Sequence, residues 1–140
     1  MKIFVDANVI IDYLVDRMPF ADDAEAVIDV CVQDGNEGSS TGLTACNAVY
    51  IIGRSIGQRS AELLVKEVAE FMELLPICPE DIRLNLGADH PDFEDTLQIS
   101  AAKAWGADVI VTRDKDGFAN SPVKVLSPAE FLNAFGQERQ

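Results

Sequence analysis

The chain has 140 residues, the size of one domain, and 48% of them are apolar, which excludes an intrinsically disordered segment. Eleven Lys and Arg against 24 Asp and Glu leave a formal charge of −13, which excludes a nucleic-acid binder that works through its own positive charge. Nucleic acid held through divalent cations in an acidic site stays open.

Strand-like and helix-like runs alternate along the chain with no repeat or linker. That order predicts an α/β sandwich around a mostly parallel sheet, in a single domain over residues 1–140. Lys2-Ile3-Phe4-Val5 is a short β-prone run that stops at Asp6, and a helix from about Ala7 to Val15 follows, with Ile10, Ile11 and Leu14 at helical spacing. A second helix begins near Phe20 and carries Ala24, Val27, Ile28 and Cys31 as a stripe; Asp34-Gly35-Asn36 ends it with turn chemistry. Ser39 to Leu43 reads as a short strand, and Thr44 opens a helix bearing Ala48, Ile51 and Ile52. Gly57 separates it from the most regular amphipathic run, Ala61, Leu64, Val65, Val68, Phe71, Met72 and Leu75. Pro76 to Pro79 reads as a short strand or extended segment. Pro91 precedes a helix from Asp92 to about Trp105, with Gly106 placed as its C-cap. Asp108 to Val111 is the clearest strand, with consecutive apolar residues that suit a doubly covered central position. Val123 to Leu126 is a last short strand. Ser127-Pro128-Ala129-Glu130 then opens the closing helix with a Ser cap, a Pro in the first turn and a Glu to complete the capping box.

Cys31, Cys46 and Cys78 show no paired spacing, the usage of a reduced intracellular protein, and Cys46 reads as core. His90 is the single histidine; it disfavours zinc and reads as a loop residue. No apolar run approaches the roughly 20 residues of a membrane span, and the first residues do not read as a signal peptide. A cytoplasmic protein with no membrane partner is expected.

The carboxylates carry the chemistry. Asp6 stands at the exit of the first strand, Asp114 and Asp116 just past the exit of the strongest strand, and Asp92 and Asp95 in the first turn of the helix before it. Open parallel sheets form their sites outside the carboxyl ends of strands, so these acids converge if the two strands are neighbours. Each acid also has a structural reading. Asp6 can cap the helix after it. Asp92 is read as a cap at a helix N-terminus. Asp116-Gly117 is a common turn pair, and for Asp116 the two readings stand even. Asp12 is read as solvated or salt-bridged. For Asp95 and Asp114 function is preferred. Close carboxylates raise one another's pKa values, and a divalent cation removes that conflict. Oxygen-only ligands select Mg²⁺ or Mn²⁺ over zinc, and such an ion polarises a phosphoryl oxygen and acidifies a bound water.

Four segments resemble PIN-domain proteins. Ile3-Phe4-Val5-Asp6-Ala7-Asn8 resembles their opening Asp-x-Asn, Asp92-Phe93-Glu94-Asp95-Thr96-Leu97-Gln98 their acidic helix start, and Val109-Ile110-Val111-Thr112-Arg113-Asp114 their strand-then-Thr-Arg-Asp segment. Ser121 to Pro128 with Phe131-Leu132 resembles the ending of a small bacterial, VapC-like branch. The resemblance implies a PIN-like three-layer α/β/α sandwich and a metal-dependent ribonuclease, the toxin of a type II toxin–antitoxin pair. It further implies Asp6, Asp95 and Asp114 as catalytic ligands of Mg²⁺ or Mn²⁺, Asp116 as a possible supplement, and Asn8 as the residue that orients Asp6 by a side-chain hydrogen bond. Thr112 and Arg113 are supporting residues on the same segment. An antitoxin protein, an RNA substrate and a homodimer are the expected partners. One departure stands out: where the family usually has a Glu in the helix after the second strand, this chain has Asn47.

Arg54, Arg59, Lys66, Arg113 and Lys115 are the candidate contacts for RNA. The competing reading is a PIN-fold binding module of weak or lost activity that acts through protein contacts, favoured by Asn47 and the charge of −13. Phosphoryl transfer through an aspartyl nucleophile is a third reading, weakened because Asn8 stands where the phosphatase pattern has a second Asp.

Overall fold

The computed structural model describes residues 1–136. In chain order these form β1 (Lys2–Val5), α1 (Ala7–Leu14), α2 (Ala21–Cys31), β2 (Glu37–Thr41), α3 (Gly42–Ile56), α4 (Gln58–Phe71) and β3 (Glu73–Leu75). There follow α5 (Pro79–Asn85), α6 (Phe93–Trp105), β4 (Val109–Val111), β5 (Lys124–Leu126) and α7 (Pro128–Phe135). The strands lie in the order β3-β2-β1-β4-β5, and every pairing is parallel. The "mostly parallel" expectation is therefore met in full among the described residues.

The strand residues alternate between two faces. Ile3, Val5, Val109 and Val111 point into one core with Val9, Ile10, Val27, Ile28 and Phe131, while Phe4 and Ile110 point into another with Leu75, Ala101, Ala102 and Phe118. Both faces are thus covered by helices, which makes the sandwich three-layered and explains why β1 and β4 are apolar at nearly every position. A third cluster, Ile11, Ala48, Ile52 and Ala61, fastens α1 to α3 and α4.

Local signals set most element ends. Gly106 adopts the left-handed conformation at φ 85° that ends α6. Ser127 and Glu130 complete the capping box of α7. Three expectations need correction, and one helix went unread. The second strand is Glu37–Thr41 rather than Ser39 to Leu43, because Thr41 accepts the Thr44 N–H and caps α3. The third strand is Glu73–Leu75 and not Pro76 to Pro79, since prolines cannot donate to a sheet ladder. A helix, α5, occupies Pro79–Asn85, signalled by Pro79 in its first turn followed by Glu80 and Asp81. Cys46 is exposed, not core: Thr44, Ala48 and Ile52 form the inner face of α3, and a residue two places from Thr44 looks the other way. Among the described residues no helix is long and apolar enough to cross a membrane.

Candidate functional site

β1 sits at the centre of the sheet with β2 on one side and β4 on the other, so the chain reverses its winding there. The crevice outside the ends of β1 and β4 is where such a sheet holds a ligand. Asp6 opens that crevice. It is the N-cap of α1, its Oδ1 accepting the Ala7 N–H at 2.7 Å, and its own N–H bonds the Val111 carbonyl at 3.0 Å. The capping role does not use up the carboxylate. Oδ1 also accepts from Gln98 Nε2 at 3.2 Å, and Oδ2 accepts from the Thr112 hydroxyl at 2.8 Å. Asp6 is only 5% exposed. Burial pushes its pKa up against the pull of these hydrogen bonds, and the charge of Asp114 pushes the same way.

Thr112 is the hub of this arrangement. Its Oγ1 donates to Asp6 and accepts from the Asp114 N–H at 3.0 Å and from Asn8 Nδ2 at 3.3 Å. One donor and two acceptor sites are all that a hydroxyl has. Asn8 therefore does not bond Asp6, contrary to expectation. It lies in the first turn of α1, where its amide reaches across to β4's exit, donating to Thr112 and accepting the Arg113 N–H at 3.3 Å. Gln98 went unassigned in the sequence. It is buried, and its Oε1 accepts the Thr44 hydroxyl at 3.2 Å, linking Asp6 to the start of α3. Its one signal was its place three residues after Asp95, on the same face of α6.

A cavity of about 370 Å³ opens over Asp6, lined among others by Asn8, Asn47, Glu94, Asp95 and Asp114. Asp92 caps α6 as read, accepting the Asp95 N–H at 2.9 Å. That bond sets Asp95 in the first turn, facing the strand ends. Its pKa is pushed up to about 7, first by burial and then by the charges of Asp6, Asp92, Asp114 and Glu94. Glu94 is also pushed up, by burial and by Asp6 and Asp92, while a hydrogen bond from Asn47 opposes the shift. Asp114 is exposed, and its Oδ1 accepts the Gly117 N–H at 3.4 Å. Asp116 is exposed and outside this lining. The structure thus brings Asp6, Asp95, Asp114, Asn8, Asn47 and Arg113 to one cavity, with Thr112 beneath, and leaves Asp116 aside.

The cations are placed differently from the sequence reading. Arg113 lines the cavity, but its guanidinium grips buried Asp12 through Nε at 2.6 Å and Nη2 at 3.2 Å and lies over Phe20. Asp12 is thus salt-bridged and buried. Lys115 pairs with Glu130 at 2.9 Å. Arg54 stacks near Tyr50, and Arg59 and Lys66 are exposed on α4, away from the lining. Arg17, which the sequence reading passed over, does line the cavity, and no ion pair engages it among the described residues.

This donor set is hard oxygen, carboxylates with an amide carbonyl, the chemistry of a Mg²⁺ or Mn²⁺ site. A Cβ built on Gly117 would collide with Asp95 Oδ2 and come within 3.4 Å of Asp114 Oδ2, so the bare backbone there lets the Asp95 carboxylate pack directly against it. Among the described residues no group of three or more His, Cys, Asp or Glu side chains stands placed to hold a metal ion. The acids share a cavity and one another's field. The residues fit a divalent cation by donor type.

A family model described as PIN domain matches residues 2–116. Ribonuclease VapC1 of Aquifex aeolicus is 27% identical over 135 residues, covering 93% of this chain and 92% of that protein. Among solved structures, VapBC2 from Rickettsia felis bound to a DNA fragment from its promoter superposes with a TM-score of 0.67 at 15% identity, covering 91% of this chain and 98% of that one. Mycobacterium tuberculosis VapC20, a sarcin-ricin loop cleaving toxin, superposes with a TM-score of 0.67 at 11% identity, covering 84% and 94%. At these identities the structures show a shared fold.

Proposed function

The chain belongs to the PIN domain family, and from that premise we propose that it is a divalent-metal-dependent ribonuclease, the toxin of a toxin–antitoxin pair. One observation carries this: Asp6, Asp95 and Asp114 surround a single cavity at the ends of β1 and β4, where burial first and then the neighbouring acids push Asp95 up to about 7. Asp6, Asp95 and Asp114 would hold Mg²⁺ or Mn²⁺. The bound ion supplies Lewis acidity toward a phosphoryl oxygen and a more acidic water.

The chain's own residues do the rest. Thr112 and Gln98 hold the Asp6 carboxylate in one orientation from two sides. Asn8 secures the Thr112 hydroxyl and the Arg113 backbone and so fixes the loop that carries Asp114. Arg17, at the rim, is free to meet a phosphate of the RNA strand. Hydrolysis forms a phosphorus–oxygen bond to water and breaks the bond to the leaving oxygen. The relative named as a ribonuclease supports this reaction, and the VapBC complexes among the structural neighbours support an antitoxin protein as partner. Tyr50, Ile51 and Ile56, exposed on α3 at 68%, 50% and 48%, offer apolar surface for such a contact or for a homodimer. Cytoplasmic action agrees with three free cysteines.

The test is cleavage of RNA by the purified chain with Mn²⁺ or Mg²⁺ and with chelator. Cleavage that needs the ion and falls about a hundredfold in Asp95→Asn, with the fold kept, is the expected result. Ion-independent cleavage, or cleavage untouched by Asp95→Asn, overturns the reading.

A further inference from the structure

The helix that usually brings a glutamate to such a site brings an amide here. Asn47 lies on the second turn of α3 and lines the cavity. A carboxylate nevertheless stands beside it. Asn47 Nδ2 donates to Glu94 Oε1, and Glu94 lines the same cavity from the first turn of α6.

Left to local forces, a glutamate in a first helical turn needs no partner. The helix dipole and water favour it where it is. Glu94 instead is half-buried and lies in the field of Asp6 and Asp92, toward negative charge. Something must draw it there, and the Asn47 amide is the donor the structure shows. A glutamate at position 47 would do the opposite, because two carboxylates at hydrogen-bond distance repel. The amide at 47 and the acid at 94 therefore belong together. α3 brings an amide and α6 brings the acid, so that besides the helix cap Asp92 the cavity is lined by four carboxylates, Asp6, Glu94, Asp95 and Asp114.

We infer that Glu94 is the fourth acidic ligand-bearing residue of this site, and that Asn47 is the positioning residue that holds it over the cavity. The inference rests on the divalent-metal reading above and adds a residue to it. It also removes the main support for an inactive binding module, since Asn47 no longer marks a lost charge.

The experiment is calorimetric titration of Mn²⁺ alone into the full chain, with thermal melting of each variant as a folding control. Glu94→Gln keeps an acceptor oxygen for Asn47 and removes only the charge. It should weaken Mn²⁺ binding about ten- to a hundredfold, and Asn47→Ala should weaken it about tenfold. The paired variant Asn47→Glu with Glu94→Gln returns the acid to α3 and should recover most of the affinity. Binding unchanged in Glu94→Gln but lost in Asp95→Asn overturns this inference and spares the metal site. No recovery in a folded paired variant overturns the exchange between the two helices. No saturable Mn²⁺ binding by the parent chain overturns both this inference and the reading beneath it.

Discussion

The Thr112 hydroxyl donates to Asp6 Oδ2 at 2.8 Å, across the seam between the neighbouring ends of β4 and β1. The same oxygen receives the Asp114 N–H and the Asn8 amide, so one buried atom ties two of the three central acids to one frame. Thr112→Val keeps the shape and deletes the hydroxyl. The buried partners left behind should cost about 1–3 kcal/mol in urea unfolding, and Thr112→Ser should recover most of it.

Gly117 lets the Asp95 carboxylate pack where a side chain would otherwise stand. Gly117→Ala places a methyl against Asp95 Oδ2, the free end of a side chain that can swing away. Gly117 is buried, but the clashing atom ends a flexible side chain, so the fold should survive with a stability change of about 1 kcal/mol. Mn²⁺ affinity and RNA cleavage should each fall about tenfold or more, because the displaced carboxylate is a proposed ligand. Calorimetry and a melting curve on the same sample separate the two effects.

The acidic cavity makes stability depend on pH. Asp95 is raised from an ordinary 3.8 to about 7, and Asp6 and Glu94 are raised too. Between those values the folded chain holds protons that the unfolded chain has lost. These groups thus stabilise least at high pH, and their penalty is relieved as pH falls from about 7 towards 4. Thermal melting without divalent ions should rise over that interval on acidification until other carboxylates protonate. Asp95→Asn should flatten the rise. Millimolar Mn²⁺ at pH 8 should raise the melting temperature of the parent and leave Asp95→Asn little changed.

Arg113 serves the fold more than the substrate. Its two contacts to Asp12, which is 1% exposed, neutralise a charge that water cannot reach. Arg113→Ala should destabilise by about 3 kcal/mol, since it strands the buried carboxylate. Arg113→Lys should recover only part of this, because an ammonium cannot reproduce the two-pronged contact. Denaturant unfolding of both variants and of Arg113→Ala with Asp12→Ala measures the pair.

Arg17 is the cation left for the strand. It follows Asp16, whose left-handed backbone at φ 53° turns the chain back towards the cavity. Arg17→Ala should raise KM for RNA about tenfold, the loss of one charge-assisted contact, with kcat and Mn²⁺ affinity nearly unchanged. An equal fall in kcat would remove Arg17 from substrate binding and place it in support of the acids.

Much of this was legible from short stretches of chain. The strand ends at Asp6 and before Thr112, the cap at Asp92 and the left-handed Gly106 depend on residues within about four positions of one another, so local sequence carries them. Neighbouring β1 and β4 then bring Asp6 and Asp114 together as the parallel-sheet rule expects. The short strand after Met72 was misplaced because an apolar helical stripe and an apolar strand share their residues at a boundary.

What the sequence determined by itself is the alternating α/β order and the identity of the acids at the strand exits. Tertiary structure alone decided which partners those groups meet. Asn8 passes its effect to Asp6 through Thr112, Arg113 spends its charge on Asp12, about one turn on from Asn8 in α1, and Asn47 finds Glu94 across 47 positions of chain. Caps and turns are settled by short-range backbone geometry, whereas these meetings depend on the order β3-β2-β1-β4-β5 and on how α3 and α6 lean over its ends. No local pattern encodes that order, because it arises from the packing of faces that are far apart in the chain and close only once both cores are filled.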